Sequence, residues 1–317
     1  MQSLLIAALL LTSYIAPLAP LSRHDVAIGG DASTTLVAWT DVGDGTARIH
    51  VSDGKKNVVL PMHGRLQLAP VIGFDSVNFL VVWQEIDERQ RTTTYAQRMS
   101  TTGAFVDASP IALGVSIDPP PPRVVWSSGV YRVTVGKAVI NMNAAAVFST
   151  AASLDTALDL AVADEKTVFT RFVPGFCSGF SMIHCTPSQS LLTFEPGGNV
   201  QLPARAAWIE ASDGVAIWSD GVALYVAREG GTRQIAAHAK NAAIAGSFVV
   251  YENDERLYAI DVDAGTSTRL TDEGSISPAL LARGDGRYTL LYRTTTRPAA
   301  LKTLELGVQP PARRRTF

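Results

Sequence analysis

The chain has 317 residues, 47% of them hydrophobic, with a formal net charge of −2 and only 2 cysteines. That length supports a large core of one or two domains, and the apolar fraction excludes a disordered chain. Two cysteines exclude a disulfide-dense miniprotein and a multi-cysteine zinc protein, and the near-neutral charge lacks the basic footprint of a nucleic-acid binder.

Residues 4–11 read LLIAALLL. The run has the length of a signal-peptide core and is far short of the roughly 20 apolar residues that cross a bilayer. Residues 1–13 therefore read as a signal peptide cut after Ser13, and the mature chain as secreted or periplasmic. No Lys or Arg precedes the run, so a buried strand or a misassigned start is the alternative. No later segment reaches transmembrane length, which predicts a mature chain without a membrane span.

A polar turn followed by an apolar, aromatic-ended strand then recurs down the chain. The copies are GGDASTTLVAW ending at Trp39, GFDSVNFLVVW ending at Trp83, EASDGVAIW ending at Trp218, IAGSFVVY ending at Tyr251 and ARGDGRYTLLY ending at Tyr292. Two degenerate copies, WSSGVYRVTV ending at Val135 and VADEKTVFTRF around Phe169, fill the gap. The spacing averages about 42 residues, within the range of four-stranded propeller blades. Short apolar runs between Gly, Asp and Ser turns argue strands rather than helices. One such unit cannot bury both of its faces, whereas a ring of them can. These observations predict an all-β chain, a single β-propeller over residues 14–308 of seven four-stranded blades, with six or eight as alternatives.

The recurrent aromatics Trp39, Trp83, Phe169, Trp218, Tyr251 and Tyr292 read as wedges between blades, with a sugar-stacking platform as the alternative. Only three strands are visible in the last copy. Residues 15–22, IAPLAPLS, are similar to the ASPIALG stretch of the second copy and are expected to supply its outer strand. Residues 309–317, with Arg313, Arg314 and Arg315, read as a disordered basic tail.

Residues 79–113, FLVVWQEIDERQRTTTYAQRMSTTGAFVDASPIAL, resemble the repeat of secreted bacterial β-propeller proteins of mostly unknown function. Residues 256–292, RLYAIDVDAGTSTRLTDEGSISPALLARGDGRYTLLY, are similar to the propeller repeat of TolB-like periplasmic proteins. The resemblance implies a propeller and an extracytoplasmic location. It brings no catalytic residues, because these motifs are structural.

The chain lacks the sequence signatures of common active sites. His24, His50, His63, His184 and His238 form no metal-binding spacing, and GxSxG, GxGxxG and GxxxxGK are absent. Asp261 and Asp263 hint at a calcium loop but lack its later ligands, so a strand–turn–strand reading is preferred. Carboxylates cluster at Glu85, Asp87 and Glu88 and at Glu252, Asp254 and Glu255, and read as solvated turns. Pro119–Pro122 reads as a stiff connector. Cys177 and Cys185 are expected to form a disulfide stapling a loop, the first guess for a specific binding element. No cofactor, metal or catalytic residue is expected. The leading reading is a monomeric extracytoplasmic binding or scaffold propeller for a protein or glycan. A carbohydrate-active enzyme and a cell-surface interaction module are the alternatives.

Overall fold

A computed structural model describes residues 5–7, 14–15, 24–43, 45–178, 184–284, 286–296 and 299–307. Within them the protein is all-β, without a helix, and its sheets are set radially as in a β-propeller. Among the described residues no helix is long and apolar enough to cross a membrane.

The local rules of the repeat explain each sheet. The second strands, such as Asn78–Ile86 and Val215–Ser219, are runs of β-branched and aromatic residues buried on both faces. The turns that precede them demand a left-handed backbone. Asp164 (φ 48°), Asp213 (φ 46°) and Gly214 (φ 72°) supply it, as two-residue hairpin turns require.

The structure corrects the expected set of seven equal four-stranded blades. Five blade-sized sheets are separate from one another, four of four strands and one of five. The strands of the first two sequence copies instead form one continuous eight-stranded sheet. A parallel bridge between Ala47 and Leu66 joins the two halves. The cause is local. The outer strand Asn57–Val59 covers only residues 50–52 of its neighbour Thr46–Ser52. The buried Gln67 side chain then accepts a hydrogen bond from the Ile49 N–H (2.9 Å) and donates to the Pro61 carbonyl (2.8 Å). A buried N–H must find a partner, and here a side chain of the next copy provides it.

The closing sheet contains Ser275–Gly284, Arg287–Thr294 and Ala300–Gly307. Its outer neighbours are Leu5–Ala7 and Tyr14–Ile15, both antiparallel to the last strand. Among the described residues the N-terminal pairing falls on 5–7 and 14–15; of the expected stretch 15–22, Ile15 pairs with Ala300, and residues 16–22 lie outside the described ones. Side chains also tie the closing sheet to the first. Arg293 donates to the Thr40 carbonyl at 3.0 Å, and Arg283 donates to the Asp31 carbonyl.

The core lies between sheets. Leu36, Ala38 and Ile49 pack on Phe79, Val81 and Trp83. Trp39 packs with Leu291 and Leu301, closing the ring.

The carboxylates Glu85 and Glu252 are not solvated. They are 1% and 2% exposed. Glu85 accepts hydrogen bonds from the Trp83 indole (2.9 Å), Gln67 (3.0 Å) and the backbone N–H groups of His63 (2.8 Å) and Gly64 (2.6 Å). Glu252 accepts from Asn241 at 2.7 Å and from the Ser277 N–H, in the next sheet, at 3.3 Å. Asp87 does cap an exposed turn, and the N–H of Arg91 holds its carboxyl below the usual range.

Candidate binding site at the central channel

The inner strands of the sheets surround a channel. Ile28, Ile72, Val124, Val162, Ala211, Ile244 and Leu280 form its wall, so the wall is apolar. Two inner strands carry a bulge there. Ala69 (φ 51°) and Ser277 (φ 54°) interrupt the ladder and turn Pro70 and Pro278 toward the channel.

The wall residues are shared by two cavities, of about 210 and about 340 Å³. The first reaches the starts of the inner strands, at His24, Arg123 and Glu210. The second reaches their ends, at Phe74, Trp126, Asp164 and Asp213. They are the two ends of one passage.

The polar groups lie at these ends. Arg123 is 6% exposed and donates through Nε to Glu210 Oε2 at 2.7 Å and through Nη2 to the Ile209 carbonyl at 3.0 Å. Its Nη1 bonds to the carbonyls of Pro121 and Pro122. His24 Nε2 lies 3.2 Å from Glu210 Oε1. Buried Asp159 takes the Ile209 N–H at 2.9 Å and so fixes the strand that carries Glu210. At the other end, Asp164 and Asp213 sit on the exposed hairpin turns of two different sheets, near enough for one carboxyl to act on the other. Proton sharing with the Asp213 carboxyl, then burial and the nearby charges of Asp213 and Glu165, push the Asp164 carboxyl up to about 6, against the pull of Arg132. Arg132 itself donates to the Asp164 carbonyl at 2.6 Å.

The residues singled out from the sequence lie elsewhere. Trp39, Trp83, Trp218 and Tyr251 each stack on the residue opposite them on the third strand: His50 (5.4 Å), Tyr95 (5.8 Å), Tyr225 (4.1 Å) and Tyr258 (5.5 Å). Trp39, Trp218 and Tyr251 also pack on a neighbouring sheet, Trp218 on Val168, Leu192 and Phe194 for example, while Trp83 packs on Leu36, Ala38 and Ile49 of its own eight-stranded sheet. Phe169 packs with Val139 and Leu160, and Tyr292 with Phe248 and Val250. Burial and Glu273 push the Tyr292 hydroxyl up to about 12. Cys177 and Cys185 are direct partners in the register of the hairpin formed by Phe176–Ser178 and His184–Thr186, while their side chains lie outside the described residues. Asp261 builds a turn, accepting from the N–H of Asp263 at 2.9 Å, and Asp263 pairs with Arg228 at 2.7 Å. Among the described residues, no three His, Cys, Asp or Glu are placed to hold a metal.

No protein-family model and no curated protein matches the chain. Among solved structures it is similar to PorZ, a surface component of the type-IX secretion system of Porphyromonas gingivalis (9% identity, TM-score 0.48). That likeness covers 93% of this chain but 39% of PorZ, so the chain spans about two fifths of the length of PorZ. It is also similar to a protein of unknown function from Dyadobacter fermentans (9% identity, 93% and 98% covered, TM-score 0.47). A third likeness is to TolB from Acinetobacter baumannii (11% identity, 75% and 79% covered, TM-score 0.37). These likenesses are too distant to carry a function, and the fold description rests on the strands themselves.

Proposed function

We propose that the protein is a non-catalytic binding or scaffold propeller that acts outside the cytoplasm. Its ligand, a protein segment or a glycan, engages the channel end that bears Asp164 and Asp213. The observation that supports this reading is how the channel's charges are arranged. Arg123 is bonded to Glu210, and the Asp164 and Asp213 carboxyls lie close together on neighbouring turns. A two-carboxylate glycosidase holds its acids about 5–9.5 Å apart around a sugar. A carboxyl pair this close leaves no such gap, yet it presents acceptors beside an apolar wall, as binding pockets do. The export reading rests on the apolar run at 4–11.

One observation favours a carbohydrate-active enzyme as the second reading. Asp164 titrates at about 6, near the value a general acid needs at neutral pH. A thermal-shift screen of the purified protein against glycans, peptidoglycan fragments, basic peptides and divalent ions separates the readings. A ligand at 100 times its Kd adds about 2.7 kcal/mol, a rise of a few degrees at this size. A shift without product supports binding. A sugar shift with product overturns it in favour of hydrolysis, and no shift with any ligand removes the small-ligand form of the proposal.

A further inference from the structure

Arg123, Glu210 and His24 come from three separate parts of the ring. His24 precedes the inner strand Val26–Gly30, Arg123 precedes Val124–Ser127, and Glu210 lies on Trp208–Ser212. Neither of the first two strands is a hydrogen-bonded neighbour of the third. Strand Ala157–Ala163 stands between Val124–Ser127 and Trp208–Ser212 in chain order, and Arg123 reaches past it to Ile209 and Glu210. The three side chains line one end of the channel and join strands that are not neighbours in the ring.

We propose that this bridge is a plug, and that the channel is a one-ended pocket entered only from the Asp164 and Asp213 end. Two features support this. First, the bridge is anchored. The Arg123 guanidinium is buried and donates to Glu210 and to three backbone carbonyls, on both sides of the passage. Swinging it aside would strand a buried cation, and Glu210 would lose its Arg123 bond at the same moment. Second, the opposite end has no comparable anchor. Asp164 and Asp213 are exposed and stand on turns, and Arg132 bonds to the backbone carbonyl of Asp164 rather than to its carboxyl. The inference rests on reading the channel as the binding site, but access to the passage can be measured without any ligand.

The test places a reporter in the wall. Val162 lines both cavities, so Val162→Cys reports on entry from either end. Its reaction with a small cationic methanethiosulfonate is followed by peptide mass spectrometry, which separates residue 162 from Cys177 and Cys185. Asp213→Trp, which narrows the open end, is expected to slow labelling at least tenfold. Adding Arg123→Ala with Glu210→Ala, which removes both charges together, is expected to restore the rate to within threefold of the Val162→Cys parent. Unchanged labelling in the Asp213→Trp protein would show that reagent enters through the bridge, and the plug would be wrong. If the triple change fails to fold by circular dichroism, His24→Ala in the Asp213→Trp background serves instead. A severalfold gain there supports the plug, and no gain counts against it. Failure of the thermal-shift screen leaves this result standing, so the two proposals fail separately.

Discussion

Glu85 takes four donors, and the Trp83 indole and the N–H groups of His63 and Gly64 lose their acceptor if the carboxylate goes, while Gln67 keeps its bond to Pro61. Each buried donor left unpaired costs about 1–3 kcal/mol. Glu85→Ala is therefore expected to lower stability by about 3 kcal/mol or more, read as a shift in urea midpoint. Glu88→Ala, three residues on and exposed, should stay within about 0.5 kcal/mol. Equal losses would show that Glu85 is not the organiser of its loop. Asp164 gives the opposite sign. Its carboxyl is raised in the folded protein, so its contribution is fully present below the unfolded value near 3.8 and is lost as pH rises through about 6. Asp164→Asn should therefore be more stable than the parent above pH 6 and should flatten the decline between pH 4 and 7. The pair is solvent-screened, which keeps the gain below about 1 kcal/mol. Thermal melts that overlay at every pH would remove the Asp164–Asp213 interaction from the account.

At the scale of elements, the hairpin of Phe176–Ser178 and His184–Thr186 interrupts its sheet between strands Lys166–Val173 and Gln189–Glu195. Directly opposed residues in an antiparallel pair have Cα atoms about 4.5–5.5 Å apart, a separation a disulfide spans. Cys177 and Cys185 are opposed in this way. The unreduced mature protein is expected to be two hydrogens lighter by intact mass and to resist alkylation until reduced. Because the loop is short, its gain is expected to be about 2–3 kcal/mol in the chain-entropy model. Full alkylation before reduction would exclude the bond. The strands were legible because turn residues and alternation are local signals. SDG before VAIW marked the turn between Trp208–Ser212 and Val215–Ser219. The site was not legible, because its residues meet only through ring closure. Asp164 and Asp213 each stand in a polar turn of the repeat, and Arg123 follows the Pro119–Pro122 connector with no motif around it. Nothing local says that residues 123 and 210, 87 apart, share a bond. The fused sheet was hidden for a related reason: its bridge depends on one glutamine side chain meeting one backbone N–H.

For the molecule as a whole, the N-terminal pairing and the signal-peptide reading make one joint prediction. A cut after Ser13 removes Leu5–Ala7, which pairs with Glu305–Gly307, and keeps Tyr14–Ile15, which pairs with Ala300 and Leu301. Hydrogen exchange of the cut chain should be faster only at those amides of 305–307 that face Leu5–Ala7, while those paired with Arg287–Thr289 and the edge at 300–301 stay protected. An uncut chain should protect both, and a chain starting after residue 22 should protect neither outer edge and associate through it.

The ring also has unequal joints. Between the first two sequence copies the joint is continuous backbone, carried by the Ala47 and Leu66 bridge and the Gln67 side chain. Between the closing sheet and the first it is side chains alone, with Arg293 on Thr40 and Arg283 on Asp31 above the packed Trp39, Leu291 and Leu301. A circle under load parts at its weakest seam. Pulled apart or warmed, this molecule should unzip between the closing sheet and the first and leave the double-width panel intact, so the sheet that gathers Leu5–Ala7 and Ala300–Gly307 is the clasp that decides how long the circle holds.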